Sequence, residues 1–276
     1  MTILQAALLG LVQGLAEFLP VSSSGHLALA RYLVPGAPPP SLTFDILLHF
    51  GTTAAVALVF RRELAPLLRA VPALFAPHHW RSRFAADADF RLLALLALSA
   101  LPIGVAGLAW HHDVERLETR PKIVAGLLAV TGLWLAVASY AQRRRGERPG
   151  RDIGLREAVW IGVAQAVAIL PGISRSGATL GAGLLLGVRR EAVGPFAFLM
   201  SIAPILAAVA LKTDDLGSSE TTPPAAVAAG VVVAFVSGVA ALKLLLPFVR
   251  RGRLEVFAAY CFAVAAFALW RLDVPG

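Results

Sequence analysis

Residues 13–26 read Gln13-Gly14-Leu15-Ala16-Glu17-Phe18-Leu19-Pro20-Val21-Ser22-Ser23-Ser24-Gly25-His26. A carboxylate, three consecutive hydroxyls and an imidazole fall within a run otherwise apolar enough for lipid. A carboxylate at the bilayer centre costs about 2.5–3.5 kcal/mol on insertion scales, so this cluster is expected to line a cavity. Pro20 removes a donor and disfavours helix at Leu19, and Gly25 permits unusual dihedrals. The helix is therefore predicted to break here, with the serines at the tip.

Sliding the chain against itself exposes a second copy. At a shift of 152 residues, Gly10 pairs with Gly162, Gln13 with Gln165, Ser22 with Ser174, Ser24 with Ser176, Gly25 with Gly177 and Phe44 with Phe196. The chain reads as two halves of one design.

Composition sets the class. With 58% hydrophobic and 15% charged residues and a mean hydropathy of +0.74, the chain departs from soluble domains and reads as an all-α integral membrane protein. The net charge of +8 comes from arginines in short loops between apolar runs, so topology explains it better than nucleic acid does. The single Cys261 excludes a disulfide framework and a thiolate metal site. The N-terminus lacks the basic region of a signal peptide, and Glu17 and Pro20 fall where cleavage would occur.

Residues 2–34 form two short apolar runs about a break, too short to cross separately, and predict a re-entrant hairpin. The Val34–Pro40 stretch, with four prolines, should return the chain to the surface. Complete spans are expected at about 44–60, 92–110 and 122–141, which close the first repeat (1–141). A basic cytoplasmic linker (142–154) follows. The second repeat (155–276) holds a hairpin at 155–187 and spans at about 193–212, 224–249 and 254–271. The expectation is six full transmembrane helices plus two re-entrant hairpins.

The positive-inside rule orients them. The loop 61–91 carries Arg61, Arg62, Arg69, Arg81, Arg83 and Arg91, and 142–156 carries Arg143, Arg144, Arg145, Arg148, Arg151 and Arg156; both belong in the cytoplasm. The stretch around Asp214, Asp215 and Glu220 is acidic and faces outward. Both termini and the site opening are then on the outer side. Three spans separate the hairpins, so the repeats are inverted, an architecture that aims half-helix N-termini at an anionic group near the midplane.

Arg175 stands in the second tip where Ser23 stands in the first, which should bring its guanidinium close to Glu17 and His26. An arginine at that depth needs an anion, and a planar guanidinium with two helix N-termini suits a phosphate or diphosphate. A structural ion pair to Glu17 is the plainer alternative. Gln13 lies four residues before Glu17 on the same helical face, and the two are candidate oxygen ligands for a divalent cation, Mg²⁺ or Ca²⁺. His26 follows the serines within reach of a nucleophile–base pairing, although an isolated histidine is more often an interior one. Ser23 and Ser24 compete as nucleophile, and a serine that only caps a helix is equally compatible with this spacing.

The phosphate-binding set is expected to be Ser22, Ser24, Gly25, Ser174, Ser176, Gly177 and Arg175. Asp45 and His49, followed by Thr52 and Thr53, run down one side of the first full span. Their shifted counterparts, like those of Glu17 and His26, are not ionisable, so the polarity is one-sided and favours a site opening outward. Asp45, His49 and Gln165 are supporting polar groups. No nucleotide-binding glycine loop, zinc signature or nucleic-acid module is present.

Gln13 to His26 and Pro171-Gly-Ile-Ser-Arg-Ser-Gly177 closely resemble the two signature segments of the undecaprenyl-diphosphate phosphatase family, associated with bacitracin resistance. With Phe44-Asp45 through Gly51 and the polytopic profile, the resemblance runs over most of the chain and is weakest in the loops 61–91 and 142–156. It implies removal of the terminal phosphate from a C55 polyprenyl diphosphate at the outer leaflet of the bacterial inner membrane, recycling the lipid carrier for cell-wall synthesis. The family's acidic motif carries over to Gln13, where some members have Glu, and Glu17. Its Ser/His segment carries over to Ser22, Ser23, Ser24 (Thr in some relatives) and His26, and its arginine to Arg175. The implied mechanism favours a serine nucleophile with His26 as general base or acid, attack by His26 or water being the other routes. Membrane lipids are the other partners, and a homodimer is compatible with the sequence. A lipid-phosphate transporter or flippase on the same inverted-repeat site is the competing class, and a non-catalytic lipid-phosphate receptor ranks below it.

Overall fold

The structure, a computed structural model, describes residues 1–33, 42–145, 150–211 and 222–273. The proline-rich Val34–Pro40 stretch, Arg148 and the acidic stretch at Asp214, Asp215 and Glu220 lie outside the described residues. Among the described residues there are thirteen α-helices: α1 (Ile3–Phe18), α2 (Ser23–Leu33), α3 (Leu42–Val59), α4 (Arg61–Ala70), α5 (Trp80–Ala86), α6 (Ala88–Glu118), α7 (Pro121–Arg145), α8 (Leu155–Val167), α9 (Arg175–Leu185), α10 (Arg190–Leu199), α11 (Ile202–Leu211), α12 (Pro224–Arg251) and α13 (Glu255–Asp273). Among the described residues there is no strand; one isolated bridge joins Arg151 to Val188.

Among the described residues five segments are long and apolar enough to cross a membrane: Ala88–Trp110, Pro121–Arg145, Arg190–Ala207, Pro224–Arg251 and Glu255–Asp273. Thr43–Val59 with Arg61–Phe75, bent by 94°, supplies a sixth if counted as one broken span. Leu101, Leu108, Val232, Val236, Leu133, Phe267 and Trp270 are all exposed on these helices. Apolar flanks on so many helices need an apolar solvent, and the molecule is a polytopic membrane protein.

The expected breaks are present. At the end of α1, Leu19 turns extended (ψ 138°) ahead of Pro20, as the steric demand of a following proline requires. Ser22 then takes a left-handed φ of 69°, the only non-glycine among the described residues to do so. The second break, between α8 and α9, turns through Gly172 at φ 100°.

Helix packing is interleaved between the halves. From the first half, α1 lies against α12, and from the second, α8 lies against α6. Both crossings need glycine at the shifted-equivalent position: a Cβ at Gly10 would lie 2.2 Å from the Gly230 carbonyl oxygen, and one at Gly162 would lie 2.5 Å from that of Ser99. Backbones this close exclude any side chain. α7 packs against α13, α9 and α2, closing the bundle around the two tips. At its centre Phe198 meets Phe18 edge-on at 5.9 Å and Phe60 near-parallel at 6.1 Å.

Three expectations change in detail. The span at 193–212 is two helices broken at Met200 and Ser201, where the Ser201 hydroxyl bonds back to the Phe198 carbonyl at 2.7 Å and Pro204 has no N–H to give. The 61–91 loop is largely helical: α4, two 3₁₀ turns (Val71–Phe75 and Pro77–His79) and α5 bury residues such as Leu67 and expose their arginines. The linker begins later than residue 142, because α7 continues through Arg145 and Gln142 donates to the Leu184 carbonyl at 2.7 Å. Beyond it, Arg151 pairs with the end of α9 and Asp152 with Arg189.

Candidate active site

Each tip is organised by a serine cap. Ser22 Oγ accepts from the Gly25 N–H at 3.2 Å, and Ser174 Oγ accepts from the Gly177 N–H at 3.1 Å; these are the equivalent residues at the 152-residue shift. The capping serines also sit beside the serines two residues on, with Ser22–Ser24 hydroxyls 3.4 Å apart and Ser174–Ser176 hydroxyls 3.1 Å apart. Capping leaves the other first-turn N–H groups of α2 and α9 as the positive ends of two helices.

The tips touch. The Ser176 hydroxyl donates to the Leu19 carbonyl at 3.2 Å, and that of Ser22 reaches the Ile173 carbonyl at 3.5 Å. A Cβ at Gly25 would lie 3.0 Å from Gly172 Cα, and one at Gly177 would lie 3.3 Å from Pro20 Cβ, so each tip glycine seats the other tip. Behind them, Thr131 of α7 donates to the Gly172 carbonyl at 2.9 Å and accepts from the Ser174 N–H at 3.0 Å. Cys261 of α13 lies 3.7 Å from the Pro20 carbonyl, at the equivalent place on the first tip.

Between the tips lies one polar cluster centred on Glu17, which is 8% exposed. Glu17 Oε1 accepts from Arg175 Nη2 at 2.5 Å. Glu17 Oε2 accepts from the Ser23 hydroxyl at 2.7 Å and from Gln13 Nε2 at 3.0 Å. His49 Nδ1 lies 3.0 Å from Gln13 Nε2 and 3.4 Å from Glu17 Oε2. Its tautomer therefore decides whether it accepts from the amide or donates to the carboxylate. The arrangement holds a nucleophile candidate on a carboxylate base, beside a guanidinium with donors to spare.

Gln13 Oε1 is buried with no hydrogen-bond partner among the described residues. An unsatisfied amide oxygen is the kind of donor a hard divalent cation takes, and Gln13 with Glu17 would be the residues to hold one. Among the described residues no group of three or more His, Cys, Asp or Glu is arranged to hold a metal without such help.

His26 does not join the cluster. His26 Nδ1 lies 2.8 Å from the Ser22 carbonyl and Nε2 lies 2.9 Å from the Tyr260 hydroxyl, with the two rings near-parallel; it faces α13 rather than Ser23. Asp45 sits one turn before His49 on α3. Thr52 and Thr53 donate back to the His49 carbonyl at 2.9 and 2.8 Å. Gln165 is fully buried, and neither atom of its amide group has a hydrogen-bond partner among the described residues. Tyr260 and Thr131 escaped the sequence reading, each being a lone hydroxyl in an apolar run with no motif around it.

Residues 6–267 match the family model described as bacitracin resistance protein BacA. A relative named undecaprenyl-diphosphatase from Desulfosudis oleivorans is 40% identical over 273 residues, covering 97% of each chain. One of the same name from Salinibacter ruber is 38% identical over 275 residues, covering 99% of this chain and all of the relative, and one from Moorella thermoacetica is 40% identical over 266 residues. With nearly the whole length matched, and both tips inside the match, the chain belongs to the bacitracin resistance protein BacA family.

Proposed function

We propose that the chain is an integral membrane phosphatase that hydrolyses undecaprenyl diphosphate to undecaprenyl phosphate and inorganic phosphate, recycling the lipid carrier for peptidoglycan synthesis and thereby conferring bacitracin resistance. The observation that carries this reading is the Ser23–Glu17–Arg175 chain at the meeting point of two capped helix N-termini. It gathers a hydroxyl nucleophile, a proton acceptor and a cation where a diphosphate is attracted most strongly.

In the proposed reaction, Arg175 holds phosphate oxygens with the guanidinium N–H groups not given to Glu17. Ser23 Oγ bonds to the terminal phosphorus as the bond to the bridging oxygen breaks, and Glu17 takes the hydroxyl proton. Undecaprenyl phosphate leaves with the bridging oxygen. Water then attacks the phosphoserine, Glu17 returns its proton to Ser23 Oγ, and both protons of the water leave with the phosphate as dihydrogen phosphate. A divalent cation at Gln13 and Glu17 would neutralise charge on the diphosphate. His26, held by Tyr260, lies beside this path and lines the entrance in this reading.

The equivalent glycine crossings, serine caps and tip contacts support an inverted-topology repeat with two re-entrant helix pairs. The arginine distribution supports an inner-membrane protein whose site opens outward. The test is phosphate release from polyprenyl diphosphate by the purified full-length protein, with and without EDTA, beside Arg175→Ala and Glu17→Ala. Metal-dependent release lost in both variants is the expected result. Well-folded protein that releases no phosphate yet moves the lipid headgroup between leaflets of a vesicle would replace the phosphatase with a carrier.

A further inference from the structure

Away from the tips, α5 and the first half of α6 line a half-open hollow of about 550 Å³. Trp80 and Phe84 form one wall, Ala97, Leu98 and Leu101 the other, and Arg81 is the one charged residue on its lining. Ala94, Ala97, Leu98 and Leu101 follow a helical i, i+3, i+4, i+7 stripe, so one face of α6 is hollowed by two alanines. That face belongs to the Ala88–Trp110 segment, whose mean hydropathy is 2.3, and Leu101 is 62% exposed. The hollow therefore opens toward the lipid chains. Trp80 is fixed over it by its indole N–H, which donates to the Ala73 carbonyl at 3.3 Å, and Phe75 beside it is 84% exposed. Exposed Trp and Phe on short helices with arginines are the marks of a segment lying in the membrane interface.

We infer that this hollow is a binding site for an anionic glycerophospholipid, one acyl chain lying along α6 and the headgroup phosphate on the Arg81 guanidinium. Three observations converge on that occupant. The volume of about 550 Å³ lies along an apolar helix face, on the scale of a chain of hydrocarbon rather than of a single small ion. The lining is apolar apart from a single cation at the edge, the charge pattern of a phospholipid read in reverse. Finally, the surrounding stretch 61–91 contains six arginines against Glu63, Asp87 and Asp89, and Arg81 and Arg83 have no acidic partner among the described residues. An unpaired guanidinium at a lipid interface recruits an anion. The site shares no residue with the Glu17 cluster and stands independently of the phosphatase reading.

The test uses full-length protein in detergent, exchanged against phosphatidylglycerol or phosphatidylcholine of the same chain length, with retained lipid counted by native mass spectrometry. Wild type should keep one phosphatidylglycerol in several-fold preference to phosphatidylcholine. Arg81→Gln should remove the preference while leaving some of either lipid bound, and Ala97→Phe, which fills the hollow, should lower retention of both. The melting temperature of each variant in detergent, expected to match wild type, reports folding. Equal retention of the two lipids by wild type, or retention unchanged by both substitutions, overturns the site. So does one-for-one displacement of phosphatidylglycerol by polyprenyl phosphate, which would give the hollow to the substrate's own tail.

Discussion

Ser23 and Glu17 are joined by a 2.7 Å hydrogen bond in which the hydroxyl is donor and the carboxylate oxygen acceptor, while the other oxygen of the same carboxylate takes Arg175. A proton leaving Ser23 thus has a defined destination, and the charge it creates has a defined counter-ion. Ser23→Ala and Glu17→Gln should each lower kcat by roughly 10²–10⁴-fold, the span of a lost proton-transfer partner. Phosphate release under saturating lipid substrate measures it. Full activity in Ser23→Ala would hand the attack to water or His26.

Arg175 is held by one carboxylate oxygen, with its remaining N–H groups available to a phosphate. Lysine keeps the charge but not the planar fork. Arg175→Lys should lose about 10²-fold in kcat/KM, comparable to removing one preorganised donor, with little change in thermal stability. A variant as active as wild type would reduce Arg175 to a structural tie between the tips.

Tyr260 fixes the His26 ring through a 2.9 Å contact. If His26 only lines the entrance, Tyr260→Phe should cost no more than roughly 5–10-fold, the worth of one hydrogen bond of about 1 kcal/mol, and should act on KM more than on kcat. A kcat collapse in Tyr260→Phe matching that of His26→Gln would instead make the imidazole part of the chemistry.

Gly10 leaves no room for a side chain against the Gly230 carbonyl. Gly10→Val should therefore separate α1 from α12 at a cost above about 4 kcal/mol, in the range of severe overpacking. Loss of folded protein on detergent extraction is the readout, and normal yield with a normal melting temperature would refute it.

Gln165 carries an amide group buried without a partner. Gln165→Met removes that unsatisfied group at similar volume and should raise stability by about 1–3 kcal/mol. The melting temperature of the detergent-solubilised protein should rise, with phosphate release retained; a fall would indicate that the amide is satisfied by a bound water.

Much of this was legible from residues alone. Pro20 announced the first break because its ring restricts Leu19 whatever the surroundings, and the paired Ser22/Ser174 and Gly25/Gly177 announced the shared tip geometry because capping is a local event. Arg175 beside Glu17 followed from the repeat. His26 was harder: its sequence neighbours are serines, but the side chain is turned by Tyr260, 234 residues away, and no local rule foresees that. His49 is likewise brought to Glu17 by α3 packing on α1 and α12, a tertiary event. The break at Met200 and Ser201 was hidden because an apolar run reads the same whether or not it is interrupted.

The packing of α1 on α12 has a consequence in time. A chain emerges from the ribosome N-terminus first, and domains ordinarily fold in that order. Here the first helix waits for a partner beginning at Pro224, and α6 waits for α8. Neither half owns a finished interior until most of the other has been synthesised. The Glu17 cluster is therefore complete only once the second tip has been made, and a product truncated before it carries every residue of the first tip without the Arg175 that neutralises it.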